Sequence, residues 1–396
     1  MSASLISYDS CIDMFNVKQA SSWCERIYNY NGEYKYVQPY LEGDTSYLKN
    51  LQGSRMSHRS WWLKNRFDIY DSMWQSGNYY QKVFRFLTDS PDGNAHIKVT
   101  SANSNAKFGW GIVQHPYYQT ADTVPYGTTV SFDNYNTAVG GAGLSVSDAV
   151  VIYEAHNALK IDLSEFNAIT EVRLEAPFAG NNKLESLNLS GNTYLANSLD
   201  LSTIPNLTEL ILTNCPRVSI TNLNALQDLT VFNASGTTLT EFVPADGVTL
   251  SNVVLPSTIT RLELNNATIG TFSQNSTVNI NTLVLNNVTW NGEYNFVMNV
   301  LNSHTTSTLQ NLTMSLRNIN WQLADSEFDA FLDKYAQIED RSNLILTGRI
   351  TLDTIDQELY DKTISILGIE VFQTGGQLVV DCASTVDLIN TIEALD

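Results

Sequence analysis

The sequence predicts a multi-domain α+β protein: an N-terminal helical region, a small β-domain and a C-terminal leucine-rich-repeat solenoid. Three observations predict it. Aromatic residues recur at helical spacing within 44–75, turn-separated apolar runs crowd 91–155, and an LxxLxL pattern recurs from residue 184 onward. The chain has 396 residues, more than one compact core usually supports. Its charge is also unevenly placed: residues 1–120 carry 12 basic and 10 acidic side chains, residues 121–396 carry 10 and 31. The domain boundaries this implies are 1–90, 91–155 and 156–396.

In the first region, Asp44 or Ser46 caps a helical segment whose Leu63, Phe67, Tyr70 and Trp74 share one face, with Gly53 splitting it into two helices. Within it, Trp61 and Trp62 stand among Arg55, Arg59 and Arg66. Aromatics that stack on bases beside arginines that neutralise phosphate form one reading of that run. The other is an aromatic core helix with solvated arginines, and the acidity of the whole chain favours it. Rigid aromatics of this kind can also anchor a neighbouring subunit.

After the turn signature Ser90-Pro91-Asp92-Gly93 the pattern changes to short strands at Ala95–Ser101, Phe108–Val113, Thr128–Phe132 and Ala149–Tyr153. Gly127, Gly140, Gly141 and Gly143 occupy the intervening turns.

The repeat begins at Leu184, where Leu184, Leu187, Leu189 and Asn192 match LxxLxLxxN. Leu207, Leu210, Leu212 and Cys215 match it with Cys in the Asn slot. Further copies are read at Leu226/Leu229/Val231, Ile259/Leu262/Leu264, Ile280/Leu283/Leu285 and Leu309/Leu312/Met314. The paired leucines point inward and the Asn or Cys satisfies backbone groups at the turn, so Asn192 and Cys215 are expected to be structural. Between 239 and 258 the strand-like pieces lie closer together. Tyr294–Leu301 and Ser326–Ala336 read as helices, the latter with Phe328, Phe331, Leu332 and Tyr335 on one face. Leu344–Leu346, Ile364–Leu367 and Leu378–Val380 read as strands.

The side chains between the inward leucines are expected to face outward on one sheet. They are Ser186, Asn188, Glu209, Ile211, Asp228, Thr230, Arg261, Glu263, Thr282 and Val284. This mixed, mildly acidic ladder suits a protein partner, with Glu209, Ile211, Asp228, Arg261, Glu263 and Val284 as candidate contacts.

A net charge of −19 argues against general affinity for nucleic acid or anionic membrane. No apolar run reaches the length of a membrane span, and the first residues lack a secretory pattern, so a soluble, cytosol-assembled protein is expected. The four cysteines have no CxxC or Cys/His clustering, and the five histidines show no ligand spacing. Phosphate-loop, dinucleotide, zincin and nucleophile-elbow motifs are missing, and Asp325, Glu327, Asp329 and Asp333 read as an exposed helix face. No catalytic residue, metal or cofactor is therefore expected. Seven N-x-[ST] sequons, Asn188 and Asn233 among them, read as a by-product of an Asn/Thr-rich composition.

The run Arg55 to Trp74, followed by Val150-Val151-Ile152-Tyr153-Glu154-Ala155, Ile161-Asp162-Leu163-Ser164 and then the repeats, resembles large virion proteins of crAss-like and related phages of Bacteroidetes. The resemblance spans about three quarters of the chain, although such proteins are usually much longer. It implies a structural role in the tail muzzle of a virion assembled in the host cytoplasm. The partners it implies are other tail, ring and muzzle proteins and further copies in a cyclic homo-oligomer, with no nucleic-acid sequence recognition and no membrane insertion. A bacterial leucine-rich-repeat surface adhesin is the alternative, and a repeat-bearing glycan depolymerase is a third class.

Overall fold

The computed structural model describes residues 26–30, 33–37, 47–49, 55–57, 84–88, 95–112, 115–132, 148–153, 155–174, 183–274, 280–339, 341–352, 354–368, 371–374 and 377–381. The chain divides into two compact units: Met1–Leu207 with Asn214–Thr221, and Thr208–Thr213 with Asn222–Asp396.

The first unit opens with two antiparallel hairpins, β1 (Arg26–Tyr30) with β2 (Glu33–Val37) and β3 (Tyr47–Lys49) with β4 (Arg55–Ser57). The second hairpin overturns the expected helical N-terminal region. The helical spacing rests on Leu63 to Trp74, whereas the segment expected to start at Asp44 or Ser46 holds the two strands β3 and β4. Arg59, Trp61, Trp62, Arg66 and the helix face from Leu63 to Trp74 lie outside the described residues.

The following strands are β5 (Phe84–Thr88), β6 (Ile97–Ser101), β7 (Ala106–Ile112), β8 (His115–Val124), β9 (Thr129–Phe132), β10 (Asp148–Tyr153), β11 (Ala158–Asp162), β12 (Ile169–Arg173) and β13 (Ser186–Asn188). A five-stranded antiparallel sheet has the order β12-β5-β10-β7-β8 and buries Phe84, Phe86, Phe108, Trp110, Val150 and Ile152. A second sheet places β13, β11, β6 and β9 side by side, with Ile161 of β11 parallel to Leu187 of β13. β14 (Ser198–Asp200) pairs in parallel with β16 (Ser219–Thr221).

A self-contained β-domain over 91–155 is therefore also corrected. The five-stranded sheet takes β5 from before residue 90 and β12 from beyond 155, while β6 and β9 join the strands of the repeat region. Backbone donors and acceptors are satisfied by whichever strand fits alongside, irrespective of separation along the chain.

In the second unit β15 (Glu209–Ile211), β17 (Val231–Asn233), β19 (Thr249–Leu255), β21 (Thr268–Gln274) and β23 (Thr289–Trp290) form one parallel sheet. β18 (Glu241–Phe242), β20 (Arg261–Asn265), β22 (Thr282–Asn286), β24 (Thr313–Leu323) and β25 (Leu344–Leu352) form another. The antiparallel pair β26 (Val371–Thr374) and β27 (Gln377–Asp381) extends it beyond β25. Each coil from β17 to β23 thus carries two strands, one per sheet, which accounts for the close spacing between 239 and 258. Inward residues of the two sheets meet across the coil, as Phe232 and Phe242 do at 5.0 Å between ring centroids.

Beyond β23 the coil changes: α1 (Glu293–Ser303) and α2 (Thr306–Leu309) precede β24, α3 (Asp325–Ala336) precedes β25, and α4 (Gln357–Leu367) follows it. Phe328, Phe331, Leu332 and Tyr335 of α3 are buried, as their spacing predicts. Ile364–Leu367, expected as a strand, is the end of α4. Asp356 caps that helix by accepting from the Leu359 N–H at 2.8 Å, and Gly368 closes it at φ +72°.

The strand register corrects two repeat copies. Leu210 pairs with Phe232, so the coil reads Leu229, Phe232, Ala234 and Thr237, three residues beyond the expected frame. Leu283 pairs with Met314 and Leu285 with Leu316, two residues beyond the frame read from Leu309. Leu226 and Leu309 are buried as well, but Leu226 lies in the connection before β17 and Leu309 ends α2, and leucine counting does not separate such residues from strand leucines.

Leu187 and Leu212 are fully buried, and truncating either to Ala is expected to cost about 2–5 kcal/mol in chemical denaturation. The register is checked by comparing Phe232→Ala, expected to cost roughly 3–5 kcal/mol, with Val231→Ala at the outward neighbour, expected to cost well under half of that.

Candidate functional site

The slot after the strand is structural at Asn192, Cys215 and Thr237. Asn192 is fully buried. Its amide donates to the carbonyls of Leu163 and Leu189 at 3.1 and 2.9 Å and accepts from the Ile169 N–H at 3.0 Å. Cys215 donates its thiol to the Leu189 carbonyl at 3.0 Å, and burial pushes that thiol up to about 11. In the second unit Thr237 fills the same slot and donates to the Ala234 carbonyl at 2.7 Å. Two sequons have a local role too: Asn188 and Asn233 each accept from the backbone N–H and hydroxyl of the serine two residues on, closing an Asx turn.

The strand faces carry the accessible side chains. On the β15–β23 sheet, Glu209, Val231, Asn252 and Thr271 form one outward row, and Ile211, Asn233, Val254 and Ser273 the next. A ladder of hydroxyls locks this face, with Thr230 donating to the Thr208 carbonyl, Ser251 to Thr230 and Thr271 to Ser251, each at 3.0 Å. At the turns after the other sheet, Asn266 and Asn287 adopt φ of +52° and +53°, a region asparagine tolerates well. The Asn287 amide donates to the Asn266 side chain at 2.9 Å, and Asn266 donates to Asp246 at 2.7 Å.

The expected outward ladder is therefore split. Glu209 and Ile211 stand together, half-buried, on β15. Arg261, Glu263 and Val284 stand on β20 and β22 of the other sheet, where Arg261 pairs with Glu263 at 2.6 Å. Asp228 is exposed in the turn before β17, and Ser186 is buried, so neither belongs to an exposed strand face. Arg55 is placed only as the first residue of β4. Asp329 and Asp333, read as a solvated helix face, both accept from Lys362 of α4. Among the described residues, no group of three or more His, Cys, Asp or Glu is placed to hold a metal ion.

Among the described residues, one buried acid, Glu293, has no counterpart in the sequence expectations. Glu293, the first residue of α1, is 4% exposed and accepts from the Trp321 indole N–H at 3.0 Å. Trp321 in turn packs edge-on against Tyr294 and Phe331 at 5.4 and 5.5 Å. A Cβ at the preceding Gly292 would lie 2.9 Å from the Trp290 indole nitrogen, so a larger residue there would displace that ring. Burial pushes the Glu293 carboxyl up to about 7, with the Trp321 hydrogen bond offsetting part of the rise. Its only sequence signal is an acid between Trp290-Asn291-Gly292 and a helix, a position where carboxylates are usually solvated.

Because the folded protein holds this proton more tightly than the unfolded chain, Glu293 contributes stability below pH 4.5 that is lost as pH rises to about 7. The shift corresponds to roughly 3 kcal/mol. Glu293→Gln is expected to raise the melting temperature above pH 7, leave it nearly unchanged below pH 4.5, and flatten the profile between. Cys215 is expected to resist thiol reagents until the chain is unfolded, as a thiol-reagent titration with and without denaturant will show.

No protein-family model and no curated protein matches the chain. Among solved structures, the functional domain of InlJ from Listeria monocytogenes, which includes a cysteine ladder, aligns at 13% identity. The alignment covers 57% of this chain and 49% of that one, with a TM-score of 0.15. The chain thus spans about half the length of that structure, and at that score the likeness bears on neither fold nor function.

Proposed function

We propose that this chain is a repeat-bearing interaction module that works by protein–protein contact and carries out no catalytic step. The observation that supports the reading is the outward face of the β15–β23 sheet. It presents two straight rows of mostly small, uncharged side chains, with Glu209 as its one acid, in a protein of net charge −19. Hydroxyl-to-carbonyl bonds fix the strands beneath, so little ordering remains to oppose association. Low charge density at the centre of a patch is the composition that distinguishes a protein contact from the rest of a surface.

A photo-crosslinking residue at Val254 is expected to capture a protein partner in the native host, while one in the exposed turn at Asp246 is not. Crosslinks from both positions alike, or to nucleic acid, would overturn the reading. Asn252→Arg, which enlarges an exposed side chain in the centre of the face, is expected to abolish that capture without lowering the melting temperature.

The finer assignment, a phage tail component as opposed to a bacterial surface binding module, rests on the sequence resemblance alone, of which Arg55 to Trp74 is the most specific piece. Mass spectrometry of purified virions tests it: presence at a fixed stoichiometry favours the tail role, and absence removes it.

A further inference from the structure

Asn291 and Gly292 form the joint at which β23 ends and α1 begins. Asn291 is exposed, and among the described residues neither its side-chain amide nor the Gly292 N–H has a hydrogen-bond partner. That sets it apart from other asparagines of the turns. Asn192, Asn197, Asn266 and Asn287 all donate from their side-chain amides, which holds each amide carbon in a fixed place. Each of those four is also followed by a residue with a side chain, namely Thr193, Ser198, Ala267 and Val288.

An asparagine is among the chemically labile residues of a protein, and a following glycine removes the Cβ that would shield the main-chain nitrogen. At this joint the Gly292 nitrogen can attack the Asn291 side-chain carbonyl carbon. A bond forms between those two atoms, closing a five-membered succinimide. The side-chain nitrogen leaves as ammonia, taking with it the proton of the Gly292 N–H. Water then opens the ring on either side. Breaking the new bond gives aspartate in an ordinary chain. Breaking the original peptide bond to Gly292 gives isoaspartate, in which the chain runs through the side-chain carbon and the former main-chain carbonyl becomes a free carboxylate.

Ring closure requires the Asn291 backbone to turn until the Gly292 nitrogen faces the side chain. Little opposes that turn, because β23 has only two residues and Gly292, at the N-cap position of α1, makes no side-chain capping bond. The packing at the joint also suits a glycine, since a Cβ at 292 would press on the Trp290 indole.

We propose that Asn291 is a self-modification site, which the folded protein converts to aspartate and isoaspartate with water as the only co-reactant. Both products place a new negative charge just before α1, where the helix dipole favours it. They differ in the main chain. Isoaspartate inserts one extra carbon next to Trp290, whose ring packs against Phe272 at 4.8 Å and Phe296 at 5.1 Å, so this product loosens the aromatic cluster and aspartate does not.

The test is to age the full chain in mildly alkaline buffer and follow each asparagine by peptide mapping with mass spectrometry. The expected result is an amide-to-acid mass gain at Asn291 with release of ammonia, faster at higher pH, while Asn192, Asn266 and Asn287 stay intact. Mapping also separates this site from the second Asn-Gly pair of the chain, Asn31-Gly32. An isoaspartyl methyltransferase is expected to label the aged peptide. Asn291→Gln is expected to abolish conversion at this position and keep the wild-type melting temperature, since the side chain is exposed. Asn291→Asp is expected to match the aspartate product in both charge and melting temperature, and the isoaspartate fraction of aged protein to melt lower than either. If Asn291 stays intact in the folded chain while the denatured chain converts in the same buffer, the proposal is overturned. Equal conversion at Asn266 and Asn287 would overturn it as well, because the hydrogen bonds would then have no protective effect. The inference does not use the proposed protein contact, and a failed Val254 crosslink leaves it standing.

Discussion

A coil of about twenty residues cannot bury its own leucines, and every other feature of the second unit answers to that constraint. Leu210, Phe232, Val253 and Phe272 occupy equivalent positions on successive strands, so that Phe232 and Val253 each lie between the coil before and the coil after. Only parallel strands in strict register keep these side chains stacked, which is why the backbone between strands is so heavily bonded. The Thr208 carbonyl accepts from the backbone N–H groups of Thr230 and Val231 and from the Thr230 hydroxyl. The threonine and serine content of the sequence thus serves the main chain.

The same constraint explains why the coil changes form near Trp290. Up to there, two strands per coil suffice because side chains such as Phe232 and Phe242 reach across the interior. Past β23 the first sheet ends, and its last inward aromatics, Phe272 and Trp290, are covered by Phe296 of α1 at 5.0 and 5.1 Å. A helix is wider than a strand, and the extra breadth is filled by Trp321, Phe331 and Tyr335. Glu293 sits at this transition. Its burial is the cost of starting a helix directly against an aromatic core, reduced because the acid stays protonated up to about neutral pH.

The exposed faces follow from this construction. Charges accumulate on α3 and α4 and thin out on the outward rows of the β15–β23 sheet, where Glu209 is the one acid.

Local spacing in the sequence determined a good deal: the perfect copies at Leu184 and Leu207, the structural slots at Asn192 and Cys215, and the buried face of α3 are properties of one strand, one turn or one helix. What spans coils was decided only by the tertiary structure. Whether Leu229 or Phe232 is the inward strand residue depends on which of them lies opposite Leu210, and the sequence contains no term for that pairing. The separation of Glu209 and Ile211 from Arg261, Glu263 and Val284 has the same origin, since two interleaved sheets share one leucine pattern. Membership of β5 and β12 in a single sheet joins residues some eighty positions apart, and Thr88 fastens that join through its hydroxyl bond to the Ala168 carbonyl. Hydrophobic periodicity is local, whereas register and strand partnership are set by packing between segments distant along the chain.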